Sequence, residues 1–225
     1  SAVFKVARTA HDGFAVGDVV WRLGGRASDF TFTDLAGDPD NGPCAQHTAV
    51  ELANGNIMMF DNGAWNVAPL CVDQSNPTGP TTSHVPTRVT EWTLDEGNGT
   101  ATMAWNYEDP DRYAVFAGSA QRLANGNTMI AGGNNNRVLE VTPAGKVVWS
   151  VDQKELPGVT LAWVTTLQLL PNGNLIIGNT HAGPDNPQLI EVTRDKKVVW
   201  TFKDFTNFGN NLVAAQALVK GKVIR

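Results

Sequence analysis

The triplet Asn-Gly-Asn occurs three times, always between two apolar runs: ELANGNIMMF at 51–60, RLANGNTMIA at 122–131 and QLLPNGNLIIG at 168–178. Asn and Gly both accept positive φ at small cost, so each triplet predicts the tight turn of a β-hairpin. A second strand-turn-strand unit follows each one: RVTEWTLDEGNGTATMAWN at 88–106, RVLEVTPAGKVVWS at 137–150 and LIEVTRDKKVVWT at 189–201. The closing strand of each carries a tryptophan, Trp105, Trp149 or Trp200. A unit of four short strands repeated in this way predicts the blades of an all-β propeller.

The two ends supply the halves of one more unit. The stretch 216–225 (QALVKGKVIR) reads as an inner hairpin turning at Lys220-Gly221-Lys222, and 2–23 reads as an outer hairpin with Trp21 on its closing strand. The expected fold is therefore a single propeller domain of four four-stranded blades, at 45–109, 118–152, 165–205 and 213–225 plus 1–24. Its ring is expected to close by the N-terminal strands completing the last blade, which leaves no open sheet edge. A β-sandwich has no reason to split one repeat across both termini. Residues 24–44 and 61–87 stand outside the repeat as insertions, and no helix longer than one turn is expected.

Composition excludes several functions. Seventeen Lys+Arg against 22 Asp+Glu give a net charge of −5, which provides no basic field for nucleic acid or an anionic membrane. No run approaches the length of a membrane helix, and no signal segment opens these residues. The crowded oxygens of Asp34, Asp38, Asp40 and Asn41 invite a calcium reading, but their spacing fits a solvated acidic turn better, and no metal is expected. Cys44 and Cys71 are open to two readings, a disulfide pinning the second insertion in an exported protein, or two buried thiols.

Aligning the blades on their turns places His47, Gly118, Thr165 and Val213 at one level of the inner strands, and Thr48, Ser119, Thr166 and Ala214 at the next. Loops feeding inner strands converge on one mouth of a propeller, so His47 is the ionisable group expected there. Its other reading is a histidine that holds the preceding loop. Trp163, two residues before Thr165, reads either as a stacking surface for an aromatic ligand or as core cover. His11, His84 and His181 read as loop residues, while Trp65 and Trp92 lie outside the repeating tryptophan positions.

Beyond the repeat, specific motifs stand in order: Trp21-Arg22-Leu23-Gly24-Gly25, Ser28-Asp29-Phe30, Gln46-His47-Thr48-Ala49, Phe60-Asp61-Asn62-Gly63 and Gly118-Ser119-Ala120-Gln121. Across about 17–149 they resemble bacterial arylsulfotransferase-like propellers, and from about 161 onward the repeats resemble generic quinone-type propeller repeats. The resemblance implies transfer of sulfate between phenols with no cofactor, through a transiently sulfated histidine that would be His47. It also implies an aryl sulfate and a phenol as partners and Arg88 as a cation facing substrate; the blade alignment offers Thr48, Ser119 and Thr165, with Trp163 beside them, as substrate contacts, and a disulfide would place the chain in a periplasmic or secreted location. The family surrounds its nucleophile with two further histidines, an asparagine and an arginine on blades that precede this match, and its best-known members have six blades. A non-catalytic module, or a piece of a larger ring that pairs with another copy, is therefore the alternative expectation.

Overall fold

The computed structural model describes residues 1–38, 41–63, 69–83, 87–109, 113–219 and 221–223. It divides into two compact units, Ser1–Val115 and Phe116–Arg225. The first holds β1 (Val3–Val6), β2 (Val19–Leu23), β3 (Thr31–Thr33), β4 (His47–Glu51), β5 (Ile57–Asp61), β6 (Arg88–Asp95) and β7 (Thr100–Glu108). The second holds β8 (Ser119–Arg122), β9 (Thr128–Ala131), β10 (Val138–Val141), β11 (Val147–Val151), β12 (Trp163–Leu169), β13 (Leu175–Thr180), β14 (Leu189–Val192), β15 (Val198–Phe202), α1 (Phe205–Phe208), β16 (Leu218–Val219) and β17 (Lys222–Val223).

The chain is an all-β protein of propeller type. Strands β8–β11 and β12–β15 form two four-stranded antiparallel sheets in sequence order. Strands β4–β7 form a third, which the first insertion extends to five: β3 lies parallel to β7, Thr31 opposite Thr100. The loop expected at 24–44 thus covers the edge of the longest hairpin, which would otherwise present unpaired amides. The terminal hairpins are β1–β2, a two-stranded sheet of the first unit, and β16–β17, a two-stranded sheet of the second. Val213 and Ala214, expected on an inner strand, lie outside strands. Side-chain bonds from Gln168 and Thr166 of β12 hold that segment, at Ala217 and Ala215.

One local device explains why Asn-Gly-Asn recurs. The central glycines Gly55, Gly126 and Gly173 sit at φ 85°, 85° and 83°. The first asparagine accepts a bond from the backbone of the second, at 3.0–3.1 Å in all three blades. The Nδ2 of the second asparagine then donates to a glutamate on the third strand: Asn56 to Glu91 at 2.6 Å, Asn127 to Glu140 at 2.6 Å, and Asn174 to Glu191 at 2.7 Å. Hydrogen bonds to a charged group contribute roughly 1.5–3 kcal/mol each. Each glutamate in turn lies opposite the tryptophan of the closing strand, Glu91 to Trp105, Glu140 to Trp149 and Glu191 to Trp200. A bulge follows the glutamate every time.

Each unit has its own apolar core. In the first, Trp21, Leu23, Phe30, Phe32, Met59 and Trp92 pack together, with Trp92 edge-on to Phe32 at 4.9 Å. Trp92 is fully buried and donates to the Thr90 hydroxyl, which makes it a core residue. In the second, Met129, Val138, Val151, Leu175, Ile190 and Val192 form a core shared by the two four-stranded sheets.

Candidate functional site in the first unit

His47 opens β4, the end strand of its sheet, and its side chain is exposed. Two residues near it adopt left-handed backbone, Ala45 at φ 50° and Thr48 at φ 48°. For a β-branched residue this is a true outlier, of the kind that clusters at functional sites and costs of the order of 1–3 kcal/mol. The Thr48 kink is a bulge: His47 faces Phe60 and Ala49 faces Met59, so Thr48 is the extra residue. The bulge re-aims the start of the strand.

The imidazole of His47 is oriented by Asn62. Nδ1 donates to Asn62 Oδ1 at 2.7 Å, and Asn62 is fully buried. The amide cannot turn over, because its Nδ2 donates to the carbonyl of Ala114 at 2.7 Å. The Thr87 hydroxyl accepts from the amide of Ala114 at 2.8 Å and donates toward the same carbonyl. With Nδ1 carrying its hydrogen, the lone pair of a neutral His47 resides on Nε2. Immediately before it, the Gln46 amide is buried with no hydrogen-bond partner for either polar atom.

Arg88 was expected as a cation facing substrate, and the structure places it elsewhere. It is 1% exposed at the start of β6, where Nε bonds Asp61 Oδ2 at 3.0 Å and Nη1 bonds Asp38 Oδ1 at 2.5 Å. Nη2 donates to the carbonyl of Gly42 at 2.9 Å, and the amide of Gly42 donates to Asp38 at 2.7 Å. A side chain on Gly42 would run into Gln74, at 2.4 Å from the would-be Cβ. Arg88 therefore locks the first insertion onto the sheet, and Asp61 continues the tie by accepting from the amide of Cys44 at 2.9 Å. Burying a carboxylate demands such a partner. Asp38 is thereby part of this lock and not of a solvated turn; Asp40 lies outside the described residues.

Cys44 and Cys71 form a disulfide, which ties the loop entering β4 to the second insertion. Trp65 and His84 fall outside the described residues. His11 lies in an exposed turn, its Nδ1 donating to the carbonyl of Thr9.

The remaining expected residues belong to the second unit. Ser119 begins β8, buried, its hydroxyl without a hydrogen-bond partner. Thr165 is buried on β12 and its hydroxyl bonds Thr180 at 3.3 Å. Trp163 stacks on Phe116 at 5.6 Å and 18°, and His181 meets its ring at 4.3 Å. Sequence reasoning missed Asn62, although the motif Phe60-Asp61-Asn62-Gly63 was in view. No spacing rule links a turn asparagine to a histidine fifteen residues earlier.

The arylsulfotransferase family profile, described as Arylsulfotransferase (ASST), matches residues 1–140, more than half of the chain. The chain belongs to the arylsulfotransferase family. No curated protein matches it. Among solved structures it is similar to a protein of unknown function from Bacteroides caccae, at 19% identity over 86% of this chain and 74% of that one, with a TM-score of 0.43. It is also similar to a streptogramin B lyase, at 17% identity over 76% of this chain and 44% of that one, TM-score 0.44. A periplasmic gluconolactonase of Pseudomonas aeruginosa shares 16% identity over 90% and 62%, TM-score 0.39. The chain spans less than two thirds of the latter two. Among the described residues of this arylsulfotransferase-family chain, no helix is long and apolar enough to cross a membrane, and no group of three or more His, Cys, Asp or Glu could hold a metal.

Proposed function

We propose that this chain transfers sulfate from an aryl sulfate to a phenol through a sulfated His47. The carrying observation is the Asn62 amide, anchored at Ala114, which directs the His47 lone pair to Nε2. In the first half-reaction Nε2 attacks sulfur, the S–O bond to the aryl group breaks, and the phenolate leaves with the electron pair. The product is an N-sulfoimidazolium that keeps its hydrogen on Nδ1. Its positive charge strengthens the bond to Asn62 Oδ1, so this contact stabilises the charged state more than the neutral one. In the second half-reaction an acceptor phenolate attacks sulfur, the N–S bond breaks, and neutral His47 returns. The proton lost by the acceptor phenol balances the one taken up by the departing phenolate through solvent.

Thr48, on the bulge beside His47, is the neighbouring substrate contact in this reading. For Ser119, Thr165 and Trp163 the assignment rests on the blade alignment alone. The disulfide supports an oxidising compartment, periplasmic or extracellular. A second reading, a binding module without turnover, is favoured by one observation: the Arg88 guanidinium is committed to Asp38, Asp61 and Gly42. One assay decides between them. Purified chain given p-nitrophenyl sulfate and phenol is expected to release p-nitrophenol and form phenyl sulfate, with an 80 Da adduct on His47 by mass spectrometry. His47→Ala is expected to abolish both. Turnover that survives His47→Ala sinks the mechanism, and no turnover in the parent chain supports the binding module.

A further inference from the structure

The row of hydrogen bonds that orients His47 recurs, without its histidine, in the sheet β12–β15. His47 and Thr165 both stand seven residues before the first asparagine of an Asn-Gly-Asn turn, and Asn62 and Thr180 both stand eight after it. The Thr165 hydroxyl meets that of Thr180 at 3.3 Å, and Thr180 Oγ1 donates to the carbonyl of Leu212 at 2.5 Å. His47, Asn62 and the carbonyl of Ala114 make the same sequence of contacts in the sheet β4–β7. The contact beneath the row repeats as well: the amide of Cys44 donates to Asp61 Oδ1 at 2.9 Å, and the amide of Ala162 to Asn179 Oδ1 at 2.7 Å. A polar row across the strand ends is therefore a property of the blade, and in the first unit it holds an imidazole.

One side chain breaks the correspondence. Phe60 pairs with Val89 and Gly178 pairs with Leu189. The residue two before that partner is Thr87 in the first unit and Pro187 in the second, and a proline ring offers the row no donor or acceptor. Thr87 is 4% exposed. Its Oγ1 accepts from the amide of Ala114 at 2.8 Å and lies 3.1 Å from the Ala114 carbonyl oxygen and 3.3 Å from that of Asn62. It thus holds the peptide on each side of the Ala114 Cα, and with them the main chain of the asparagine that Ala114 anchors.

The difference has a physical reason. A threonine hydroxyl rotates to suit its partners, so the row of the second unit needs no further fixing. The amide of Asn62 keeps its donor and its acceptor at opposite ends of a plane. Turned over, it would present Nδ2 to His47, and the ring would then carry its hydrogen on Nε2, with no lone pair there to attack sulfur. The Ala114 carbonyl opposes that turn, and the Thr87 hydroxyl fixes the carbonyl.

We infer that Thr87 is a positioning residue, whose hydroxyl sets the tautomer of His47 through Ala114 and Asn62. Its effect on rate rests on the sulfated-His47 reading; its effect on the ring does not. The ring is read first, without substrate, by long-range nitrogen–proton correlation spectra of the whole chain above the titration range of imidazole. The parent is expected to carry the His47 hydrogen on Nδ1, Thr87→Val to add a population with the hydrogen on Nε2, and Thr87→Ser to restore the parent pattern. In turnover of p-nitrophenyl sulfate, Thr87→Val is expected to lower kcat by about tenfold with KM nearly unchanged, and serine to recover most of the loss. Circular dichroism verifies the fold of each variant, and Thr87→Ala, which sets no methyl against the two carbonyls, takes the place of valine if valine does not fold. A parent ring with its hydrogen on Nε2, a variant ring unchanged from the parent, or a serine variant as impaired as the valine one overturns the role of Thr87. A parent chain without turnover whose ring still answers to Thr87 overturns the sulfate-transfer reading alone and upholds Thr87 as the residue that sets the ring.

Discussion

A neutral imidazole has a single lone pair, and Asn62 decides which nitrogen of His47 bears it. The asparagine does this from a buried position, held by the Ala114 carbonyl, so its orientation is set before any ligand arrives. Asn62→Ala is expected to lower kcat for sulfate transfer by about 10²-fold with KM nearly unchanged, because the ring loses its tautomer and its partner for the charged intermediate. Equal losses in kcat and 1/KM point instead to a collapsed loop. The same scale separates Arg88 from the site. Its guanidinium lies under the loop that leads into β4, so it positions His47 through Asp61 and the Cys44 amide, without reaching solvent.

At the scale of the blade, the asparagine of the inner turn, the glutamate of the third strand and the tryptophan of the fourth form one cross-sheet set. Burial works against the charge on Glu140, and the hydrogen bonds of Asn127 and Arg194 outweigh it, so its carboxyl stays below the ordinary range. At Glu96 the Lys5 hydrogen bond is the main cause of the same lowering. Carboxyls depressed in the folded state stabilise it fully above the unfolded value of about 4.3 and lose that contribution as pH falls through the folded values. Urea midpoints are therefore expected to drop below about pH 4, and Glu140→Gln to flatten that acid slope. An unchanged slope in the variant contradicts the assignment of Glu140.

At the scale of the whole molecule, the disulfide closes a loop with a sequence separation of 27 between Cys44 and Cys71. Its removal by Cys44→Ser with Cys71→Ser is expected to cost roughly 3–4 kcal/mol from chain entropy. Hydrogen exchange read across 41–63 checks this, with faster exchange expected at the Gly63 amide, which bonds the Cys44 carbonyl. Unaltered protection there would mean that the Arg88 lock alone holds the loop.

Much of the fold was legible in the chain because its signals are local. Asn-Gly-Asn needs nothing beyond its own φ angles to make a hairpin, and the regular distance from that turn to the glutamate and tryptophan carries the strand order with it. His47 stood out as a candidate for the same reason, as part of a contiguous motif. Three things depended on residues far apart in sequence and were decided only by tertiary structure. Asp38, Asp61 and Arg88 span three segments, and their burial turned an expected substrate cation into a structural lock. Strand β3 found a parallel partner 69 residues away at Thr100, which no local pattern encodes. Asn62 became the orienting group of His47 because two strands in register and the carbonyl of Ala114 brought it there. Turn chemistry acts within a few residues and is written in the sequence; the pairing of buried charges and amides is settled only when folding removes water from them.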